Sequence, residues 1–264
     1  MIYSSFKSML RVFPIALVLT HVVLNAQQPM QWEENPQIGV EINGKIDISS
    51  QVFQPTSYRP YMILTSAALP VPVLIDLTKR SVSRLKGSDV TVNEYFAHTN
   101  GIPNGRASGN YTMKDGASTF KVAGKTVSIT VRQTLVGEVS ASMILAHSPD
   151  YRIRKNNYRP KRQAMDFLKS YRQKTDVIVV FATWCATCKE LLPKVMRIFD
   201  DAANPAFTMK YIGIAMGGNE PRTAIEKYGH DYPAVIFYRN GREIDRIIAD
   251  PPGALEDLIV TILK

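Results

Sequence analysis

Two cysteines stand three positions apart in the chain, at Cys185 and Cys188, and the chain contains no others. Side chains at that spacing are neighbours on one face of a helix, so their sulfurs can form or release a disulfide with little backbone movement. The pair therefore predicts thiol–disulfide exchange, with an inert local bridge as one alternative. A zinc site is another, but it needs two more ligands. The histidines available for it are His21, His98, His147 and His230.

The surroundings of the pair predict different roles for the two thiols. An apolar, β-branched run at 176–181 is typical of a buried strand, and the residues from Cys185 to Asp201 have their apolar side chains at helical intervals. A thiol at a helix N-terminus faces unpaired backbone N–H groups and the positive end of the helix dipole, which favour the thiolate. We therefore expect Cys185 to be the nucleophile and Cys188, one turn deeper, the resolving thiol.

Alternating helix and strand patterns extend from Gln163 to the C-terminus, and they predict an α/β domain with a central mixed sheet flanked by helices. The predicted order is helix, strand, helix, strand, helix, strand, strand, helix. The ranges are 164–168, 176–181, 185–201, 209–215, 221–228, 234–238, 243–248 and 253–263.

Three stretches of this domain resemble the thioredoxin superfamily, and in particular its exported, TlpA-like branch. They are Phe181-Ala182-Thr183-Trp184-Cys185-Ala186-Thr187-Cys188-Lys189, then Pro193, and then Tyr232-Pro233-Ala234. The resemblance covers residues 163–264 only. It implies a thioredoxin-like fold, catalysis by Cys185 and Cys188, and a substrate contact through Trp184, Tyr232 and a cis Pro233. It implies no metal and no cofactor beyond the redox-active Cys185–Cys188 disulfide.

Two positions depart from the family pattern. Val179 stands where many thioredoxins have a buried acid, and Leu191 stands where TlpA-like proteins often have a glutamate. The route of the proton and the direction of electron flow therefore stay open. Glu190, Lys189 and His230 are possible supporting residues. We expect the first two to be solvent-facing helix residues and His230 to be a loop residue in solvent, and the Tyr232 hydroxyl either reaches the cysteines or packs beside them.

The N-terminus has the order of a secretory signal peptide, predicted at 1–26. Lys7 and Arg11 precede an apolar run from Val12 to Leu24, and the small Ala26 follows. The apolar run is shorter than the roughly 20 residues of a membrane-spanning helix, so an uncleaved anchor is the weaker alternative. We expect a periplasmic or secreted protein that meets a membrane only if the leader is retained.

Residues 27–150 have the pattern of a small, mostly β domain. An alternating strand at 38–42 leads into the turn Asn43-Gly44, and further turns are predicted at Asp115-Gly116 and Ala123-Gly124. A long loop is predicted at 100–109. The region contains no recognisable chemistry, and we expect its two histidines, His98 and His147, to be exposed or hydrogen-bonded structural residues.

The net charge of +9 is partly concentrated between Tyr151 and Lys174. We predict a solvated basic linker at 151–162, with a surface for an acidic partner as the alternative. No nucleic-acid-binding motif accompanies the charge, so a nucleic-acid partner is not expected.

Three functions fit these features. The first is an exported thiol–disulfide oxidoreductase whose partners are cysteine-containing exported proteins and a redox partner protein. The second is a partner-binding or assembly protein with a thioredoxin-like scaffold and a regulatory disulfide. The third is an isomerase or chaperone.

Overall fold

The computed structural model describes residues 28–57, 59–215, 228–229 and 231–264. The predicted signal peptide at 1–26, all but the last residue of the predicted helix at 221–228, and His230 lie outside the described residues.

Residues 29–131, which we call the β region, form two antiparallel sheets. The large sheet has the strand order β10-β7-β6-β5-β4-β1-β9-β8, and the small sheet has the order β11-β12-β13-β2-β3. The strands are β1 (Pro29–Glu34), β2 (Ile38–Ile42), β3 (Lys45–Ile46), β4 (Gln51–Pro55), β5 (Tyr61–Thr65), β6 (Val73–Asp76), β7 (Ser81–Arg84), β8 (Thr91–Asn93), β9 (Phe96–Asn100), β10 (Arg106–Asn110), β11 (Thr112–Lys114), β12 (Ala117–Val122) and β13 (Lys125–Val131).

The large sheet has an apolar core on each face. Neighbouring residues of one strand contribute to different cores, because successive side chains point to opposite sides. In β4, Val52 belongs to the core shared with the small sheet, whereas its neighbour Phe53 belongs to the core on the other face. Trp32 of β1 is fully buried in that second core. The fully buried Trp32 therefore fixes β1 in the large sheet.

The predicted turns are confirmed. Asn43 and Gly44 both have positive φ angles, of 53° and 73°, and they join β2 to β3. The turns at Asp115-Gly116 and Ala123-Gly124 are also formed by residues with positive φ. The predicted loop at 100–109 is partly wrong, because Arg106–Asn110 pairs with β7 as strand β10.

The described residues between 137 and 264 form the α/β domain around a five-stranded mixed sheet of order β14-β16-β15-β17-β18. Strands β15 and β16 are parallel, and the other neighbours are antiparallel. The elements are β14 (Gly137–Val139), α1 (Ala141–His147), α2 (Pro149–Asn157), α3 (Arg162–Ser170), β15 (Thr175–Phe181), α4 (Ala186–Ala202), β16 (Phe207–Gly213), β17 (Ala234–Arg239), β18 (Arg242–Ile248) and α5 (Leu255–Leu263).

The central strand β15 is buried on both faces. Val177, Val179 and Phe181 contact the core formed with α4, while Ile178 and Val180 belong to the core on the other side. Helix α4 packs against α2, α3 and α5. The described elements follow the predicted order, and no helix among them is long and apolar enough to cross a bilayer.

The predicted linker at 151–162 is wrong over most of its length. Residues up to Asn157 continue α2, and the aromatic ring of Tyr151 is buried in the core of the α/β domain. Three of the basic side chains in this segment pair with acids on neighbouring helices. These pairs are Arg154–Glu190, Lys155–Asp200 and Lys161–Asp257.

The predicted boundary at residue 150 also differs from the structure. Strand β14 and helix α1 belong to the α/β domain, because β14 pairs with the edge strand β16. Gly213 on β16 permits this pairing, since the carbonyl of Leu135 lies where a side chain at position 213 would be.

Candidate active site

Cys185 occupies the N-cap position of α4. Its backbone is extended (φ −90°, ψ 120°), and its Sγ accepts a hydrogen bond from the backbone N–H of Cys188 at 3.2 Å. An N-cap side chain normally offers an oxygen to these free N–H groups, and here a sulfur takes that role. The predicted placement of the first thiol at the helix N-terminus is confirmed.

Cys188 is less accessible than Cys185. Its side chain is completely buried, in the core that includes Leu191 and Leu192, whereas Cys185 is half-buried. The backbone N–H of Ala182 donates to the Cys188 Sγ at 3.4 Å. A substrate sulfur can therefore approach Cys185 but not Cys188.

The two thiols also differ in acidity. The hydrogen bond from the Cys188 thiol, together with the backbone N–H groups of Cys188 and Thr187, lowers the pKa of Cys185, although burial and the carboxylate of Glu33 oppose this shift. Burial raises the pKa of Cys188 well above its usual value, and the neighbouring Cys185 adds to the increase. The thiolate is the nucleophilic form, so both shifts favour attack by Cys185.

The aromatic and proline residues named from the sequence lie together beside Cys185. The rings of Trp184 and Tyr232 pack edge to face with their centroids 5.1 Å apart, and Tyr232 remains 38% exposed. The Tyr232–Pro233 peptide bond is cis. Because Ala234 pairs with Val180, this bond lies at the end of the sheet from which the chain leads to Cys185.

Lys189 is not the solvent-facing residue that we expected. Its Nζ lies 2.5 Å from the Oε1 of Glu34 on β1, and the two side chains are only 9% and 3% exposed. Gln51 on β4 donates to the other carboxylate oxygen of Glu34 at 2.9 Å. Lys189, the residue after Cys188, thus holds the β region against α4 through a buried ion pair.

Glu190 is also paired. Its carboxylate accepts a hydrogen bond from Arg154 on α2 at 2.7 Å, and Arg154 donates in addition to the carbonyl of Ile48 in the β region at 3.0 Å. Glu190 is partly exposed and was expected to face solvent. Its ion pair with Arg154 instead makes it part of the contact between α2, α4 and the β region.

A second segment of the β region reaches the loop before Cys185. The side-chain amide of Gln37 donates to the hydroxyl of Thr183 at 3.1 Å and to that of Thr134 at 2.8 Å. Glu33, on the exposed side of β1, is near enough for its charge to act on Cys185. The segment from Glu33 to Gln37 therefore lies along the start of α4.

The sequence reasoning missed Glu33, Glu34 and Gln37, because they belong to no motif. One signal was available: Trp32 and Glu34 share a face of an alternating strand. A glutamate on the same face as a core tryptophan requires a buried partner, since burial of an unpaired carboxylate is very unfavourable.

Val179 and Leu191 are buried in the apolar core, as their residue types require. Tyr151 is another buried titratable group near the pair: burial raises its pKa strongly, and negative charge at Cys188, Asp150 and Cys185 adds to the effect. This tyrosine lies in the segment that was predicted to be a linker.

The described residues contain no group of three or more histidine, cysteine or acidic side chains arranged to hold a metal ion. His98 is exposed on β9, and His147 hydrogen-bonds to Ser148 and to the carbonyl of Gln133. Burial lowers the pKa of His147, which favours its neutral form. Both histidines have the structural roles expected for them.

Comparison with known proteins identifies the α/β domain. The thioredoxin family model matches residues 161–261. Thioredoxin-1 of Schizosaccharomyces pombe is 31% identical over 80 residues, which are 30% of this chain and 73% of the relative. Thioredoxin-2 of Saccharomyces cerevisiae is 27% identical over 86 residues, which are 32% of this chain and 77% of the relative. Among solved structures, thioredoxin O2 from Arabidopsis thaliana in the oxidized state matches with a TM-score of 0.28 and 18% identity, over 39% of this chain and 85% of that one. The chain belongs, through its C-terminal domain, to the thioredoxin family.

Proposed function

We propose that this protein is an exported thiol–disulfide oxidoreductase that exchanges disulfides with cysteine-containing proteins outside the cytoplasm. The observation that carries the proposal is the asymmetry of the cysteine pair. Cys185 is half-buried and has a lowered pKa, whereas Cys188 is fully buried and has a raised pKa. Exchange in two steps needs one accessible thiolate and one protected thiol, and an inert bridge needs neither.

In the reducing direction, the Cys185 thiolate attacks one sulfur of a substrate disulfide. A bond forms between Cys185 and that sulfur, the substrate disulfide breaks, and the second substrate sulfur leaves as a thiolate that takes up a proton. Cys188 then loses its proton and attacks the Sγ of Cys185. The first substrate sulfur leaves as a thiolate, and two electrons have passed from the protein to the substrate.

The products of this cycle are a reduced substrate and a Cys185–Cys188 disulfide. A redox partner protein with a dithiol of its own must reduce that disulfide before the next cycle. The same steps in reverse oxidise a substrate dithiol, and then the partner must remove electrons. The reduction potential of the pair relative to its partners decides the direction.

The substrate polypeptide is proposed to contact Trp184, Tyr232 and Pro233. This is supported by the packing of the two rings beside Cys185 and by the 38% exposure of Tyr232. A partly exposed aromatic pair next to a nucleophile offers apolar surface to a substrate chain.

Turnover of a peptide disulfide tests the proposal. The full chain without the predicted leader is mixed with dithiothreitol and a fluorescent peptide whose two halves are joined by a disulfide. We expect the wild-type protein to accelerate cleavage, and we expect Cys185→Ser to fall to the rate of dithiothreitol alone.

Two results would count against this function. Acceleration that survives in Cys185→Ser would show that the pair is not the reactive centre. A folded wild-type protein without any acceleration would favour the alternative, a partner-binding protein with a regulatory disulfide. Circular dichroism of each variant checks that the fold is intact.

Export has its own test. The full 264-residue chain is expressed in a bacterium, and the mass of the protein recovered from the periplasm is measured. We expect a mature chain that begins after Ala26. A chain recovered intact in the membrane fraction would instead support an uncleaved anchor.

A further inference from the structure

Strand β1 carries its side chains alternately to the interior and to the surface. Trp32 and Glu34 are buried, and Glu33 between them is exposed. Within the described part of the chain, Glu34 pairs with Lys189 and accepts from Gln51, whereas Glu33 has no ion-pair partner. One free carboxylate therefore stands at the end of β1 that lies along α4.

Glu33 lines an open cleft of about 310 Å³ between the β region and the loop before Cys185. A volume of this size is at the lower end of the range for ligand sites. The lining residues are Glu33, Glu34, Asn35, Gln54, Pro55, Thr56 and Trp184. Trp184 is the only one of these that belongs to the α/β domain, so the cleft is a feature of the junction and not of the thioredoxin-like fold.

The cleft adjoins the nucleophile through Trp184. This tryptophan immediately precedes Cys185, lines the cleft and packs against Tyr232. The cleft and the exposed ring of Tyr232 therefore both lie next to Cys185. Residues that flank a cysteine bound at Cys185 can reach the cleft and Glu33.

The charge of Glu33 works against the nucleophile in the free protein, because a carboxylate near Cys185 disfavours the thiolate. A cation bound to Glu33 removes that disadvantage. A positively charged substrate therefore pairs with a free carboxylate and also reduces the opposition of that carboxylate to the Cys185 thiolate.

We propose that Glu33 determines substrate specificity: the cleft receives the polypeptide that flanks the reactive cysteine, and Glu33 pairs there with a lysine or arginine. This inference rests on the proposed function. Glu33 does not take part in bond making, and its effect is on which substrates reach Cys185 in a productive position.

The test compares two peptide disulfides that differ only in having lysine or glutamate two residues from the reactive cysteine. We expect the wild-type protein to prefer the lysine peptide in kcat/KM by roughly 2- to 5-fold at low ionic strength, which is the usual size for a partly exposed ion pair. The preference is expected to shrink in about 1 M salt, where such pairs are screened.

Variants of Glu33 test whether this residue causes the preference for the lysine peptide. Glu33→Gln is expected to reduce the ratio to about one, and Glu33→Lys is expected to reverse it, by the same electrostatic reasoning. The control is Glu41→Gln on β2, because Glu41 is also exposed but does not line the cleft. It is expected to keep the wild-type ratio. The ratio therefore measures the whole effect of a substrate charge at Glu33, which includes both the ion pair and any change that it makes in the acidity of Cys185.

Two outcomes separate this inference from the proposed function. If the wild-type protein cleaves both peptides equally well, or if Glu33→Gln keeps the full preference, the role of Glu33 is wrong while the oxidoreductase function stands. If a folded wild-type protein cleaves neither peptide faster than dithiothreitol alone, the proposed function fails, and the specificity inference fails with it.

Discussion

The α/β domain and the β region contribute to the site in different ways. In the α/β domain the groups that activate Cys185 are local, because its hydrogen bonds come from Thr187 and Cys188. The contacts from the β region are distant in sequence: Glu34 and Lys189 are separated by 155 positions, and Gln37 and Thr183 by 146. The reactive chemistry is thus encoded in one short segment, whereas the surroundings of the nucleophile depend on how the chain folds as a whole.

Ion pairs at the junction between the two regions are more buried than those on the surface of the α/β domain. The Lys189–Glu34 pair is almost completely buried, while the side chains of the Lys161–Asp257 pair are 60% and 53% exposed. A buried charge that loses its partner is strongly unfavourable, and an exposed charge that loses its partner is solvated by water. Substitutions in the two places are therefore expected to have very different effects.

The largest effect is expected from Lys189→Met, which keeps the apolar stem and leaves Glu34 buried without its cation. We expect the free energy of unfolding to fall by about 3–5 kcal/mol, measured by urea denaturation. The matched control is Lys161→Met, for which little or no change is expected because the pair is exposed to solvent.

The double variant Lys189→Met with Glu34→Leu tests whether the loss of stability comes from the unpaired charge of Glu34. It removes both charges, so a large part of the lost stability is expected to return. If Lys189→Met and Lys161→Met have equal effects, the ion pair does not hold the β region against α4.

A smaller effect is expected from Gln37→Ala. The substitution removes the hydrogen bonds to Thr134 and Thr183, and we expect the free energy of unfolding to fall by about 1–2 kcal/mol. Gln31→Ala is the control, because Gln31 is an exposed residue of the nearby strand β1. Equal denaturation curves for the two variants would contradict a role for Gln37 in joining the β region to the loop before Cys185.

The smallest effect is expected in the acidity of Cys185. The thiol of Cys188 is the strongest contributor to the lowered pKa of Cys185, so Cys188→Ala is expected to raise that pKa. Only the thiolate is alkylated rapidly, so the midpoint of alkylation by iodoacetamide should move to higher pH. Cys188→Ser keeps a hydroxyl donor and is expected to shift the midpoint less. Identical midpoints in Cys188→Ala and the wild-type protein would contradict the hydrogen bond.

The elements that could be predicted from the sequence are those whose signal is local. The apolar run of β15 and the helical spacing of α4 each lie within one segment, and both were predicted to within a few residues. Helix α2 was missed because its many cations were interpreted as a solvated charge run, and the acids that pair with them lie on other helices. Strand β14 has only three residues, and its partner β16 lies far along the chain, so its pattern carried little information.

The same distinction applies to the site. Cys185, Cys188, Trp184 and Pro233 could be named because they form recognisable motifs. The burial of Lys189 could not be predicted, because its partner Glu34 belongs to no motif and lies in a strand 155 positions away. Residues that act through long-range contacts leave little pattern in the sequence.

The roles of Cys185 as the attacking thiol and Cys188 as the resolving thiol can be tested by trapping the mixed disulfide. Cys188→Ser is incubated with a defined peptide disulfide, digested without reduction and examined by mass spectrometry. We expect a disulfide between Cys185 and the peptide cysteine, formed in near-stoichiometric amount, while Cys185→Ser leaves the buried Cys188 almost unmodified. No adduct on Cys185, or equal adducts on Cys188 in Cys185→Ser, would contradict the assignment of roles.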